Sequence, residues 1–136
     1  MLVIKVPELV VAKMIEHANA EHPFECCGLL AGQGMSVERV YPLTNVEVSS
    51  TTYLADAKEQ WQAMCDIEDS SLELLSIYHS HPHSPCYPSE RDIRLAYYEL
   101  AYIIISLLVK EAPEVKAFAI KDGAVYPEEL IIEAQA

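Results

Sequence analysis

The segment His79-Ser80-His81-Pro82-His83-Ser84-Pro85-Cys86-Tyr87-Pro88-Ser89-Glu90-Arg91-Asp92 concentrates the groups in this chain that can do chemistry. His79 and His81 stand two apart at the end of an apolar run, and in an extended strand such residues point to the same side. Two imidazoles on one face can share a metal ion. Pro82 fixes the backbone immediately after the pair and limits the entropy lost in forming the site. Asp92, three residues after Ser89, falls in the first turn of a following helix, where a carboxylate is favoured. It supplies a third ligand if the loop folds back. Two His and one Asp would give zinc a single anionic ligand and leave a fourth position for water. The metal would then make hydroxide available near neutral pH and polarise a substrate carbonyl. The plain alternative is a pair of surface-loop histidines and an ordinary helix-start charge.

Hydrolysis of an amide also needs a proton shuttle that is not a ligand. Glu25, which follows Pro23 and precedes the apolar run Cys26–Ala31, is the candidate. Burial in a closed site would raise its pKa and a nearby cation would lower it, and the sequence leaves that balance open. Strand alternation puts Glu25 and Cys27 on one side and Cys26 on the other. Ser89 is the candidate donor to an oxyanion on the scissile carbonyl, with helix capping as its plain role. Cys86 lies inside the loop and is a rival thiolate ligand, although its spacing gives no reason to prefer it to Asp92. His83 is expected to face solvent, with contact to an incoming peptide as the alternative.

Those residues need a scaffold. Val3–Lys5 suggests a strand, and Pro7 suits the first turn of a helix running to about Ala20, with Val10, Val11, Met14, Ile15 and Ala18 as its apolar stripe. Cys26–Ala31 reads as a core strand, paired through a Gly-containing turn with Met35–Leu43. Thr44–Thr52 is polar and aperiodic, a loop or frayed strand. Asp56 followed by Glu59 matches a capping box. It opens a helix to about Glu68 whose inner edge is expected at Trp61, Met64, Cys65 and Glu68. Leu72–Tyr78 is a strand, His79–Pro88 a loop with three of the eight prolines, and Ser89 caps a helix to about Tyr98. Ala101–Leu108 and Val115–Ile120 are strands. Asp122-Gly123 is a hairpin turn before short terminal strands at Val125-Tyr126 and Leu130–Glu133. The order predicts one domain over residues 1–136, a mixed sheet covered by helices.

Composition narrows the function. Nine Lys and Arg against 21 Asp and Glu give a net charge of −12, which argues against a general affinity for nucleic acid or anionic lipid. No stretch reaches 18 apolar residues, so no membrane span is expected. The first residues lack the pattern of a secretory signal, so a cytoplasmic location and reduced thiols are expected. The four cysteines form no CxxC pair, and the spacing is wrong for a four-cysteine zinc site. Homodimer formation through the first helix or a sheet edge is compatible with the sequence, with no decisive feature.

Glu25, then His79-Ser80-His81-Pro82, six intervening residues, Ser89, two residues and Asp92 resembles the pattern of the JAMM or MPN+ metallopeptidases, and Glu25-Cys26-Cys27-Gly28-Leu29-Leu30-Ala31-Gly32 resembles that family's first strand. The resemblance covers nearly the whole chain: Asn45, the Asp56 helix and the strand before His79 are also similar to short bacterial, single-domain members. It implies an α/β (α+β) fold of the cytidine-deaminase-like type, a mixed, curved sheet flanked by helices, with one zinc ion held by His79, His81 and Asp92. Glu25 would serve as general base and then general acid, and Ser89 would assist the oxyanion. It further implies cleavage of a peptide or isopeptide bond after the C-terminal Gly-Gly of a ubiquitin-like or sulfur-carrier protein. The competing expectations are a zinc-containing module that binds such a partner without cutting it, and a hydrolase of small peptides or amides.

Overall fold

The computed structural model describes residues 2–96 and 100–134. Its elements run β1 (Val3–Pro7), α1 (Glu8–Glu21), β2 (Cys27–Gln33), β3 (Ser36–Leu43), α2 (Ala57–Asp69), β4 (Glu73–His81), α3 (Glu90–Arg94), β5 (Ala101–Ser106), β6 (Glu114–Lys121) and β7 (Ala124–Glu133). The strands form one mixed sheet in the order β1-β3-β2-β4-β5-β6-β7, which curls until it closes on itself. Closure comes from β1, which runs parallel to β7 from Val3 to Pro7 and bridges β3 at Lys5.

Alternation along β2 sends side chains to two different cores. Cys26 and Leu30 pack with Ile4, Val6, Met14 and Tyr78 under α1, whereas Cys27, Leu29 and Ala31 pack with Ala63 and Ile67 under α2. The stripe of α1 lies where its period places it, with Val10, Val11, Met14 and Ala18 buried and Ile15 packed at the edge. Gly28 is required by this packing, because a Cβ there would run into the ring of Tyr78.

Five expectations change. The inner face of α2 is Ala63 and Ile67, while Trp61 is 69% exposed and Met64 38% exposed. Ala63 and Ile67 are one turn apart, and Trp61, two positions before Ala63, lies on the far side of the helix. Glu59 forms only half of a capping box. Asp56 accepts from the Glu59 N–H, but the Glu59 carboxylate turns away to accept from Thr44 N (2.6 Å) and Thr44 Oγ1 (2.9 Å). Strand β4 extends through His81, so the first three residues of the expected loop belong to the sheet. Helix α3 ends at Arg94, and Tyr97 and Tyr98 lie outside the described residues. The expected two terminal strands are one, β7.

Candidate metal centre

The histidines are placed by sheet register. His79 pairs with Cys27 on β2 and with Ile104 on β5, and His81 pairs with Ser106. Both are buried, at 1% and 2% exposure. Their shared side brings the two Nε2 atoms to 3.1 Å. The loop after Pro82 is anchored by buried groups: Ser106 Oγ donates to Ser84 O (2.7 Å) and Cys86 Sγ donates to Ile104 O (3.1 Å). It returns the chain to α3, where Ser89 caps the helix in a complete capping box. Ser89 N donates to Asp92 Oδ2 (2.9 Å), and Ser89 Oγ accepts from Asp92 N (3.1 Å). That reciprocal pair aims Asp92 Oδ2 at both imidazoles, 3.1 Å from each Nε2.

The donor set fits a cation. A carbonyl only accepts, so the 2.9 Å contact of His81 Nδ1 with Pro85 O means that Nδ1 carries the hydrogen. In the neutral ring the Nε2 lone pair then faces Asp92 Oδ2 and His79 Nε2. His81 Nε2, Asp92 Oδ2 and His79 Nε2 thus converge on one point, where a cation or a shared proton links them. Burial lowers the His81 pKa, but the Asp92 carboxylate and the Pro85 carbonyl outweigh it and the net shift is upward. Burial acts against the Asp92 carboxylate too, yet the hydrogen bonds from His79 and His81 hold it well below the usual carboxylate range. Among the described residues, His79, His81 and Asp92 are the one group of side chains arranged to share an ion. Buried imidazole Nε2 lone pairs with one carboxylate suit zinc.

Glu25 reaches the same face by the same register. It lies two residues before Cys27, and His81 lies two after Cys27's partner His79, so the antiparallel pairing carries Glu25 toward His81. It is 4% exposed, and Oε1 is buried without a hydrogen-bond partner. Burial pushes its pKa up to about 8; His81 opposes the shift and Asp92 adds to it. A buried carboxylate with an unpaired oxygen beside converging ligands is suited to handling a proton. Cys27 shares its side and Cys26 the opposite one, as alternation requires.

The remaining candidates separate cleanly. Cys86 packs with Ile104 and Phe118 and donates to Ile104 O, so its sulfur lies outside the group formed by His79, His81 and Asp92; burial pushes its thiol up to about 11. Burial likewise pushes Cys26 and Cys27 up to about 12, and all four cysteines are free. His83 is exposed, with its ring edge-on to His22 at 5.2 Å. Ser89 is the helix cap, and its oxygen accepts there, so its hydroxyl hydrogen stays available as a donor. Tyr53 escaped sequence reasoning, and Asn45 entered it only through the resemblance, with no role attached. Tyr53 stacks on His79 with ring centroids 4.7 Å apart. Asn45 bonds the Glu25 carbonyl. Both lie in or beside a stretch without periodicity, and an asparagine among polar residues is a turn signal with no hint of its partners. A cavity of about 250 Å³ opens beside the cluster, walled by Gly28, Tyr53, Leu54, His79, Asp92 and Leu95.

Residues 7–121 match the model of the prokaryotic homologs of the JAB domain. This chain belongs to that family. It is 38% identical over 125 residues, 90% of its own length and 86% of the relative's, to the CysO-cysteine peptidase of Mycobacterium tuberculosis. It is 41% identical over 123 residues, 90% of its length and 79% of the relative's, to a probable TtuB-protein conjugate cleaving protease of Thermus thermophilus. A solution structure of a Desulfitobacterium hafniense protein superposes with a TM-score of 0.88 at 39% identity, covering 97% of this chain and 94% of that one. The expected mixed α/β fold and the JAMM-type metallopeptidase class both stand. Among the described residues, no helix is long and apolar enough to cross a membrane.

Proposed function

We propose that this protein hydrolyses the peptide or isopeptide bond after the C-terminal Gly-Gly of a sulfur-carrier or ubiquitin-like protein. The observation that carries the reading is Glu25, buried with an unpaired oxygen on the same face as His79, His81 and Asp92. One zinc ion per chain, held by those three side chains, would supply an acidified water and a Lewis acid for the scissile carbonyl. Glu25 takes a proton from the attacking water and delivers it to the leaving amine, so one amide and one water become a carboxylic acid and an amine. Ser89, with its oxygen engaged by Asp92 N, donates its hydroxyl hydrogen to the developing oxyanion. The cavity walled by Tyr53, Leu54 and Leu95 accepts the extended tail, and glycines let the carbonyl approach where a side chain would clash. The carrier class is supported by the relatives, one named for CysO-cysteine and one for TtuB conjugates.

Incubation of the zinc-loaded protein with C-terminally extended sulfur carriers, followed by intact-mass measurement, tests this reading. The expected product is a carrier ending in Gly-Gly, formed without chelator and absent with it. Carriers left intact by the zinc-loaded protein would refute it, and stable capture of the carrier without cleavage would establish a binding module instead.

A further inference from the structure

We infer that Asn45 is the positioning residue for Glu25, an inference that rests on the function proposed above. Glu25 lies outside the sheet ladder, since β2 begins at Cys27. The neighbouring Cys26 is tied to β4 through its N–H to Ser80 Oγ (2.8 Å) and its carbonyl from Ser80 N (3.1 Å). Glu25 has no such partner in the sheet. Its N–H donates to Ser49 O (2.8 Å) and its carbonyl accepts from Asn45 Nδ2 (3.0 Å). Both main-chain groups of the proposed proton shuttle are therefore satisfied by one polar loop.

Asn45 holds that loop in shape with all four of its amide's hydrogen-bonding positions. Nδ2 donates to Thr52 O (3.1 Å) as well as to Glu25 O, and Oδ1 accepts from Glu47 N (3.0 Å) and Leu54 N (3.0 Å). Two carbonyls on one end and two N–H groups on the other fix the orientation of the amide. No other short side chain offers two donors and two acceptor positions in one plane. An aspartate would keep the Glu47 and Leu54 bonds and turn a carboxylate oxygen toward two carbonyls. The backbone continues the same clamp: Asn45 bridges Ala55, and Val46 N donates to Leu54 O (2.9 Å).

The loop reaches the other half of the site as well. Tyr53, between the anchored Thr52 and Leu54, stacks on His79. Glu47 pairs with Arg91 (3.7 Å), the residue before Asp92. Asn45 thus ties the proton shuttle to the loop that walls the cavity, and a misplaced reacting group costs rate without loss of the fold.

The decisive test compares Asn45→Asp with the parent in the full-length protein, alone and combined with Glu25→Gln. In the metal-free protein, amide hydrogen exchange at Glu25 is expected to quicken about tenfold or more, while Cys27–Gln33 keep their protection. With zinc and a C-terminally extended carrier, kcat is expected to fall about tenfold or more, with KM changed less than about threefold and metal content unchanged. In the Glu25→Gln background the same substitution is expected to cost less than about twofold, because the group it positions no longer works. Unchanged exchange at Glu25, or losses that multiply in the double variant, would overturn the inference. Asn45→Ser gives the same readouts if the aspartate variant does not fold. If no carrier is cleaved by any form, the proposed function fails, while the exchange measurement still decides whether Asn45 anchors Glu25.

Discussion

The two halves of the site are held by different means. His79 and His81 sit inside the ladder, with β2 on one side and β5 on the other, and Asp92 is locked by a capping box. Glu25, opposite them, precedes the ladder and depends on a loop for both main-chain hydrogen bonds. The proposed ligand half combines sheet register with a helix cap. The shuttle half is local hydrogen bonding, which opens at lower free energy than a core strand. Metal capture and proton transfer should therefore fail separately when each half is damaged.

The largest effect is expected on the ligand half. His79→Ala removes one of the converging acceptors, so bound zinc, measured by elemental analysis, should fall well below one per chain. Turnover should drop about 10³-fold or more, the loss of several kcal/mol of charge stabilisation. Full metal occupancy in that variant would break the comparison. Glu25→Gln damages only the other half: zinc stays bound, and kcat falls about 10²–10⁴-fold. Ser89→Ala acts on both. Loss of the cap should cost about 1 kcal/mol in thermal or denaturant unfolding, and loss of the oxyanion donor about 10²-fold in kcat. A stability loss with unchanged kcat would assign Ser89 to capping alone.

A pH dependence separates the halves without any substrate. In the metal-free protein the folded-state pKa of Glu25 is raised from 4.5 to about 8. Its contribution is fully present below about pH 4.5 and is lost as pH rises toward 8, because the unfolded chain ionises there while the folded state holds the carboxyl protonated. Glu25→Gln should flatten that part of the stability curve. Asp92 acts in the opposite sense, since its lowered pKa makes stability fall as pH drops below its ordinary value of 3.8. A metal-free Glu25→Gln protein whose stability tracks the parent across pH 4.5–8 would contradict the buried position of the carboxyl.

The same division explains what the sequence could reveal. Residues on periodic elements were readable: the α1 stripe, the common face of His79 and His81, and the opposite facing of Cys26 and Cys27 all follow from alternation or a 3.6-residue repeat. The Ser89–Asp92 spacing carries its own local geometry. For α2 the repeat alone does not pick the face: Trp61 stands two positions before Ala63 and so on the far side from buried Ala63 and Ile67. The roles of Asn45 and Tyr53 were not legible because they sit in or beside an aperiodic stretch and their partners, Glu25 and His79, are 20 and 26 positions away. Glu59 matched a capping box, yet its carboxylate found better donors at Thr44. Local patterns name local bonds; the fold decides which long-range competitor takes them.

The central claim is that three ligands grip one ion while Glu25 moves the proton. Its most direct test is the cleavage rate of a Gly-Gly-extended carrier by Glu25→Gln loaded with one zinc per chain, followed by intact mass. The account predicts a rate at least about 100-fold below the parent. A rate equal to the parent's at full zinc occupancy would contradict it.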